Sequence, residues 1–246
     1  MGASGECVGG VQPQGSSRWL WVFGVLAIAY LLLLNSQPFS LDFLVKAAPI
    51  YCLAFIALNH WQYRLARGLF VGLCFSSLGD VLLALPWQHS FPTGLGAFLV
   101  AQFIYAVLFG RLATREGGGL RPLLMQLKGH WAGALLTTGV VVYYLSALMV
   151  LLPKVGELAP AVLVYMSAIC AMVMAATLLW VSGRQGGGWV LLGALSFLVS
   201  DSLIGLNKFL LPFELAELSI MSSYYLAQCL IVVGVLAALR SAPLND

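Results

Sequence analysis

The stretch LCFSSLGDVLLAL, residues 73–85, consists of apolar and small residues around one carboxylate, Asp80. Such a run belongs either to a buried helix of a soluble core or to a membrane span, and the rest of the chain chooses between them. Of the 246 residues, 61% are hydrophobic and 9% charged, with a mean hydropathy of +0.95. An ordinary soluble domain carries about 25% charged residues, so this chain lacks the polar surface to face water. Residues 73–85 are therefore read as membrane span, and a carboxylate inside hydrocarbon is costly enough to need a reason.

A spanning helix needs about 20 apolar residues. Eight segments qualify or nearly so: 19–34, 42–58, 66–85, 93–112, 131–152, 159–181, 188–206 and 217–239. The second contains Lys46 and Pro49. The expected fold is all-α, a single eight-helix bundle over 19–240. A Gly- and Ser-rich tail, 1–18, is expected to be disordered, and 241–246 forms a short C-terminal tail. Residue 6 is Glu, which breaks the myristoylation pattern after Met1-Gly2. No signal peptide is expected, since no basic stretch precedes an apolar one at the start.

Basic residues orient the bundle. One set of loops holds Arg18, Arg64, Arg67, Arg111, Arg115, Arg121, Lys128, Arg184 and Arg240; the alternate set holds Lys154 and Lys208. Both termini are expected in the cytoplasm, the membrane being a bacterial inner membrane or the endoplasmic reticulum. The net charge of +3 gives no reason to expect nucleic acid. Scattered cysteines and histidines predict neither a disulfide framework nor a zinc site. The seven Trp lie near segment ends, as interfacial anchors do.

Depth then sorts the polar residues. Asp80 and Asp201 lie roughly 20 Å along their segments at about 1.5 Å per residue, in the outer half of the bilayer. Lys46, Gln102, Tyr105, Tyr165, Tyr224, Tyr225 and Gln228 fall at similar levels. The third and seventh segments echo each other, with Gly72 and Gly193 each eight residues before its Asp, as parallel repeated halves would produce. For a single Tyr or Gln, interhelical bonding is the ordinary role. Two aspartates and a lysine in one layer point instead to one polar pocket, lined by the second, third, fourth, sixth, seventh and eighth segments. Two neighbouring carboxylates in low dielectric do not both ionise cheaply, so one is expected to hold a proton. That is the arrangement for a general acid and base adding water to a substrate already in the bilayer. It equally suits a proton-coupled lipid or small-molecule transporter.

Five stretches carry a family resemblance: LVKAAPIYCL (44–53), FSSLGDVLL (75–83), GLGAFLVAQFIY (94–105), GALSFLVSDSLIGLNKF (193–209) and IMSSYYLAQCLI (220–231). In this order they resemble the lysoplasmalogenase, or YhhN-like, family of membrane hydrolases. The resemblance implies cleavage of the vinyl ether bond of a lysophospholipid, giving a fatty aldehyde and glycerophosphoethanolamine or glycerophosphocholine. It implies no metal or organic cofactor, and partners limited to substrate and membrane lipids, with the oligomeric state left open. The family's two intramembrane aspartates correspond to Asp80 and Asp201, its lysine to Lys46, and its Tyr-Tyr and Gln to Tyr224, Tyr225 and Gln228. Many members have His where this chain has Gln102, which can hydrogen-bond but not relay a proton. SSLGD also approaches the Gly-x-Gly-Asp signature of intramembrane aspartyl proteases, but Ser77 replaces the required Gly and Ser200 precedes Asp201 where Tyr is expected.

Overall fold

A computed structural model describes residues 15–34, 42–114, 125, 127 and 129–241. The tail up to residue 14, with Cys7, lies outside them, as do Arg115, Arg121, Lys128 and residues 242–246. Every predicted segment is helical: α1 Gly15–Leu33, α2 Asp42–Leu58, α3 Arg64–Ala84, α4 Ser90–Thr114, α5 Trp131–Leu151, α6 Ala159–Val181, α7 Gly187–Gly205 and α8 Ala216–Arg240. Two 3-10 turns, Leu152–Lys154 and Gly156–Leu158, join α5 to α6. Pro153 stands in the first, where its missing N–H and fixed φ suit a helix start.

From α3 onward, six helices are long and apolar enough to cross a bilayer. The protein is a multi-pass integral membrane protein. The two N-terminal helices differ. The described part of α1, Ser17–Leu33, is apolar but shorter. In α2, 17 residues include Asp42, Lys46 and Pro49, a length of roughly 25 Å against a hydrocarbon core of about 30 Å.

Six helices close on one another: α2 packs on α3, α3 on α4, α4 on α6, α6 on α7, α7 on α8, and α8 back on α2 and α3. They are the six expected to line the pocket, although α6 gives no residue to the wall of the polar cavity. Helix α1 lies against α2 and α8, and α5 packs chiefly on α6. Only Gly133 and Val140 of α5 are buried, and Leu135, Val141, Val142, Leu145, Met149 and Val150 face outward.

Glycines set the closest approaches. A Cβ at Gly72 would stand 2.5 Å from the Tyr105 ring, and one at Gly79 2.6 Å from Phe98, so α4 lies tight on α3. A Cβ at Gly193 would stand 2.9 Å from both the Ala227 carbonyl and the Ile231 nitrogen of α8. Small residues that let backbones meet are the usual means of joining helices in lipid. The echo between α3 and α7 is thus structural as well: each Gly admits the next helix. Each Asp stands four residues before its helix ends, Asp80 before Ala84 and Asp201 before Gly205.

Candidate active site

Each helix brings its polar residue to the same end of the bundle. Lys46 lies in the second turn of α2, Asp80 and Asp201 near the ends of α3 and α7, and Tyr224 in the third turn of α8. Lys46, Asp80, Asp201 and Tyr224 line one cavity of about 230 Å³. Phe91 and Phe98 of α4 and Met221 of α8 complete much of its apolar wall.

Both carboxylates are held by donors from other helices. The Tyr224 hydroxyl donates to Asp80 Oδ2 at 2.8 Å. Asp201 Oδ2 accepts from Gln102 Nε2 and from the Tyr165 hydroxyl, both at 2.7 Å. The pattern is crossed: α8 serves the aspartate of α3, whereas α4 and α6 serve that of α7. Asp80 is 2% exposed and Gln102 fully buried. A buried carboxylate survives only with such partners. Gln102 supplies a donor at the position where the family resemblance expects His; its buried Oε1 has no hydrogen-bond partner among the described residues.

Three rings fix Tyr224. Phe98 and Phe197 meet it edge-on, with centroids at 5.6 and 5.7 Å, and Tyr225 lies beside it at 5.7 Å. Edge-to-face packing of this kind is attractive and directional. Tyr225 donates instead to the Lys46 backbone carbonyl at 2.7 Å. Pro49 lies three residues on in α2, where it removes the intrahelical bond to Val45. Tyr225 thus binds α8 to a turn of α2 that has lost one of its own bonds.

Of the residues expected to share one pocket, Gln102, Tyr105, Tyr165, Tyr225 and Gln228 are not on the wall of this cavity; Gln102 and Tyr165 meet it only through Asp201, and Tyr225 only through the Lys46 backbone. The Tyr105 hydroxyl donates to Gln228 Oε1 at 2.8 Å, and Gln228 Nε2 to Ser76 Oγ at 3.0 Å. Along α3, Gly72, Ser76 and Asp80 climb one face, meeting Tyr105, Gln228 and Tyr224 in turn. The lower two levels bind α3, α4 and α8 together; the top level opens on the cavity. Tyr105→Phe should therefore lower stability by about 0.5–1.5 kcal/mol and leave turnover intact, read as thermal unfolding in detergent beside an activity assay. Loss of turnover in a folded protein would move Tyr105 into the site.

Among the other wall residues that escaped the sequence, four matter most for the site. Ser200 adjoins Asp201 and donates to the Ile220 carbonyl at 3.0 Å. Glu217, in the first turn of α8, also reaches the cavity, and its Oε1 accepts from the Tyr30 hydroxyl at 3.2 Å. It opens the predicted eighth segment, so depth counting alone could have included it. Phe91 stands just ahead of the predicted start of its helix. Asn207 comes from a π turn, Leu206–Leu210, that extends α7 beyond its predicted end. The Leu211 N–H reaches the Leu206 carbonyl at 2.8 Å, five residues back. Such turns occur often at functional sites, but hydropathy leaves no trace of them.

Two of the three histidines have structural tasks. His130 Nδ1 caps α5 by accepting from Gly133 N–H at 3.1 Å, and the ring packs on Trp180. His60 Nδ1 lies 3.0 Å from the Ile56 carbonyl. Among the described residues no three of His, Cys, Asp and Glu converge as a metal group.

A family model described as the YhhN family matches residues 41–235, a span that holds every residue of the cavity wall. Human lysoplasmalogenase TMEM86A is 33% identical over 217 residues, covering 81% of this chain and 80% of its own. The lysoplasmalogenase of Mycobacterium tuberculosis is 34% identical over 192 residues, 77% of this chain and 68% of its own. Human lysoplasmalogenase TMEM86B is 32% identical over 232 residues, 91% and 88%. No solved structure matches at a significant level. With its aspartates, lysine and tyrosines inside the matched span, the chain belongs to the YhhN family.

Proposed function

We propose that this protein hydrolyses the vinyl ether bond of lysoplasmalogens, releasing a fatty aldehyde and the glycerophospho-alcohol, with Asp80 and Asp201 as acid and base. The observation that carries the proposal is the single cavity on which Asp80, Asp201 and Lys46 meet. The relatives' names support the substrate class.

The chemistry needs one proton donor and one acceptor. The protonated aspartate gives its proton to the outer vinyl carbon, and the carbon on oxygen becomes an oxocarbenium. The ionised aspartate stabilises that cation and takes a proton from water as the water adds. The hemiacetal then collapses. Its hydroxyl returns a proton to one carboxylate, the glycerol oxygen receives one from the other, and the C–O bond breaks. The pair ends as it began, with one proton between them. The hydrogen bonds to Asp80 and Asp201 named above all end on Oδ2, which leaves each Oδ1 for this work. Lys46, on the same cavity wall, binds the substrate phosphate in this reading or tunes the aspartate pair. The distribution of basic residues supports cytoplasmic termini, and on that orientation the cavity opens towards the outer face.

Mass spectrometry of lysoplasmalogen incubated with purified protein in detergent tests the reading. Free aldehyde in equimolar amount with glycerophospho-alcohol is expected. Substrate moved across vesicles without product would instead establish a carrier. Lys46→Met should raise KM roughly tenfold, the effect of about 1.4 kcal/mol of lost phosphate binding, with a smaller change in kcat. A fall confined to kcat would place Lys46 on the carboxylates instead.

A further inference from the structure

Beside the polar cavity runs a second, narrower one between α4, α5, α6 and α7, and the two share Phe91, Asp201 and Ile204. Leu95, Leu151, Val162, Met166 and Phe209 give it an apolar wall. Its hydroxyls are already paired: Tyr143 with Ser202 Oγ at 2.7 Å, and Tyr165 with Asp201. With its hydroxyls spoken for, the groove away from Asp201 offers a ligand only hydrocarbon contact. Helix α5, which forms one wall, packs chiefly on α6, so the wall on that side is the least anchored.

We propose that this groove is the subsite for the lipid's hydrocarbon chain, entered sideways from the bilayer past α5. The proposal rests on the hydrolase reading above and adds to it where the substrate lies. A lysolipid has one polar head and one chain, and the protein has one polar cavity and one apolar groove joined at Asp201. A vinyl ether links head to chain. With the head beside Lys46 and the chain along Met166 and Leu151, that bond falls at the junction, in contact with Asp201. Asp80 then faces it from the head-group side.

Gly205 provides the test. It lines the groove in ordinary helical backbone, at φ −61°. A Cβ there would meet Leu151 at 3.7 Å, an ordinary contact. Gly205→Ala is therefore tolerated, while Gly205→Leu fills the groove. Substrates with a hexadecenyl and a butenyl chain on the same head are compared by kcat/KM. The long-to-short ratio should fall about tenfold in Gly205→Leu, as lost burial of two methylenes produces, and stay unchanged in Gly205→Ala. An equal fall for both chains, or no fall, in a folded variant overturns the subsite while the hydrolase reading stands. A second measurement is independent of turnover. Lysophosphatidylethanolamine with a mid-chain diazirine is photolysed with the protein and the adducts are mapped. Adducts on α5 and α6 in the Leu151 and Met166 region, lost in Gly205→Leu, support the subsite even if no aldehyde forms; adducts confined to other helices overturn it.

Discussion

Asp80→Asn or Asp201→Asn is expected to release aldehyde about 10²- to 10⁴-fold more slowly than the parent, the usual loss when a positioned acid or base is removed. The fold should survive both changes. Asparagine keeps the shape of the side chain, and its Oδ1 can still accept from Tyr224 at position 80, or from Gln102 and Tyr165 at position 201. The loss therefore reports on chemistry rather than folding. The double variant should be little worse than either single one, because the two groups act as a unit and such effects do not add. The measurement is aldehyde release per mole of protein that elutes as a single species in detergent. A folded Asp80→Asn protein with parental turnover would remove Asp80 from the mechanism.

The second large effect concerns assembly. Gly193→Leu should unfold the α7–α8 half of the bundle or lower its stability by at least 1–3 kcal/mol, the cost of overpacking. A Cβ there stands 2.9 Å from backbone on both sides of the α8 contact, and backbone cannot rotate aside as a side chain can. Separating α7 from α8 also breaks the bonds from Ser196 to the Ser223 carbonyl and from Ser200 to the Ile220 carbonyl. Thermal unfolding in detergent reads the loss. Gly188→Leu is the control: its Cβ would meet only the Trp180 ring, at 3.7 Å. Equal stability of Gly193→Leu and Gly188→Leu would show that the α7–α8 approach does not depend on a bare backbone at 193.

Much was legible in the chain itself. A charge content of 9% excludes a water-facing surface, and eight apolar runs separated by polar or Gly/Pro breaks become eight helices. Counting residues from helix ends places Asp80, Asp201, Lys46 and Tyr224 at one level, because the rise per residue is fixed. Depth is a one-dimensional quantity, and sequence carries it directly.

Rotation about the helix axis is not carried in the same way. In water, an apolar stripe marks the inward face. In lipid both faces are apolar, so the stripe disappears and sequence does not say which neighbours a polar side chain meets. Tyr105 and Gln102 are one turn apart on α4, yet Gln102 reaches Asp201 while Tyr105 bonds Gln228 below the cavity. Tyr224 and Tyr225 are adjacent, yet one holds a carboxylate and the other a backbone carbonyl. The crossed service of the aspartates, the π turn that brings Asn207 to the cavity, and the apolar groove meeting the polar one at Asp201 all depend on helices distant in sequence. The sequence by itself pointed to two carboxylates and an amine at one level of a membrane bundle. Only tertiary packing decided which oxygen each phenol holds and which aspartate borders the groove, because those choices are made by close contacts between helices whose outward faces look alike to lipid.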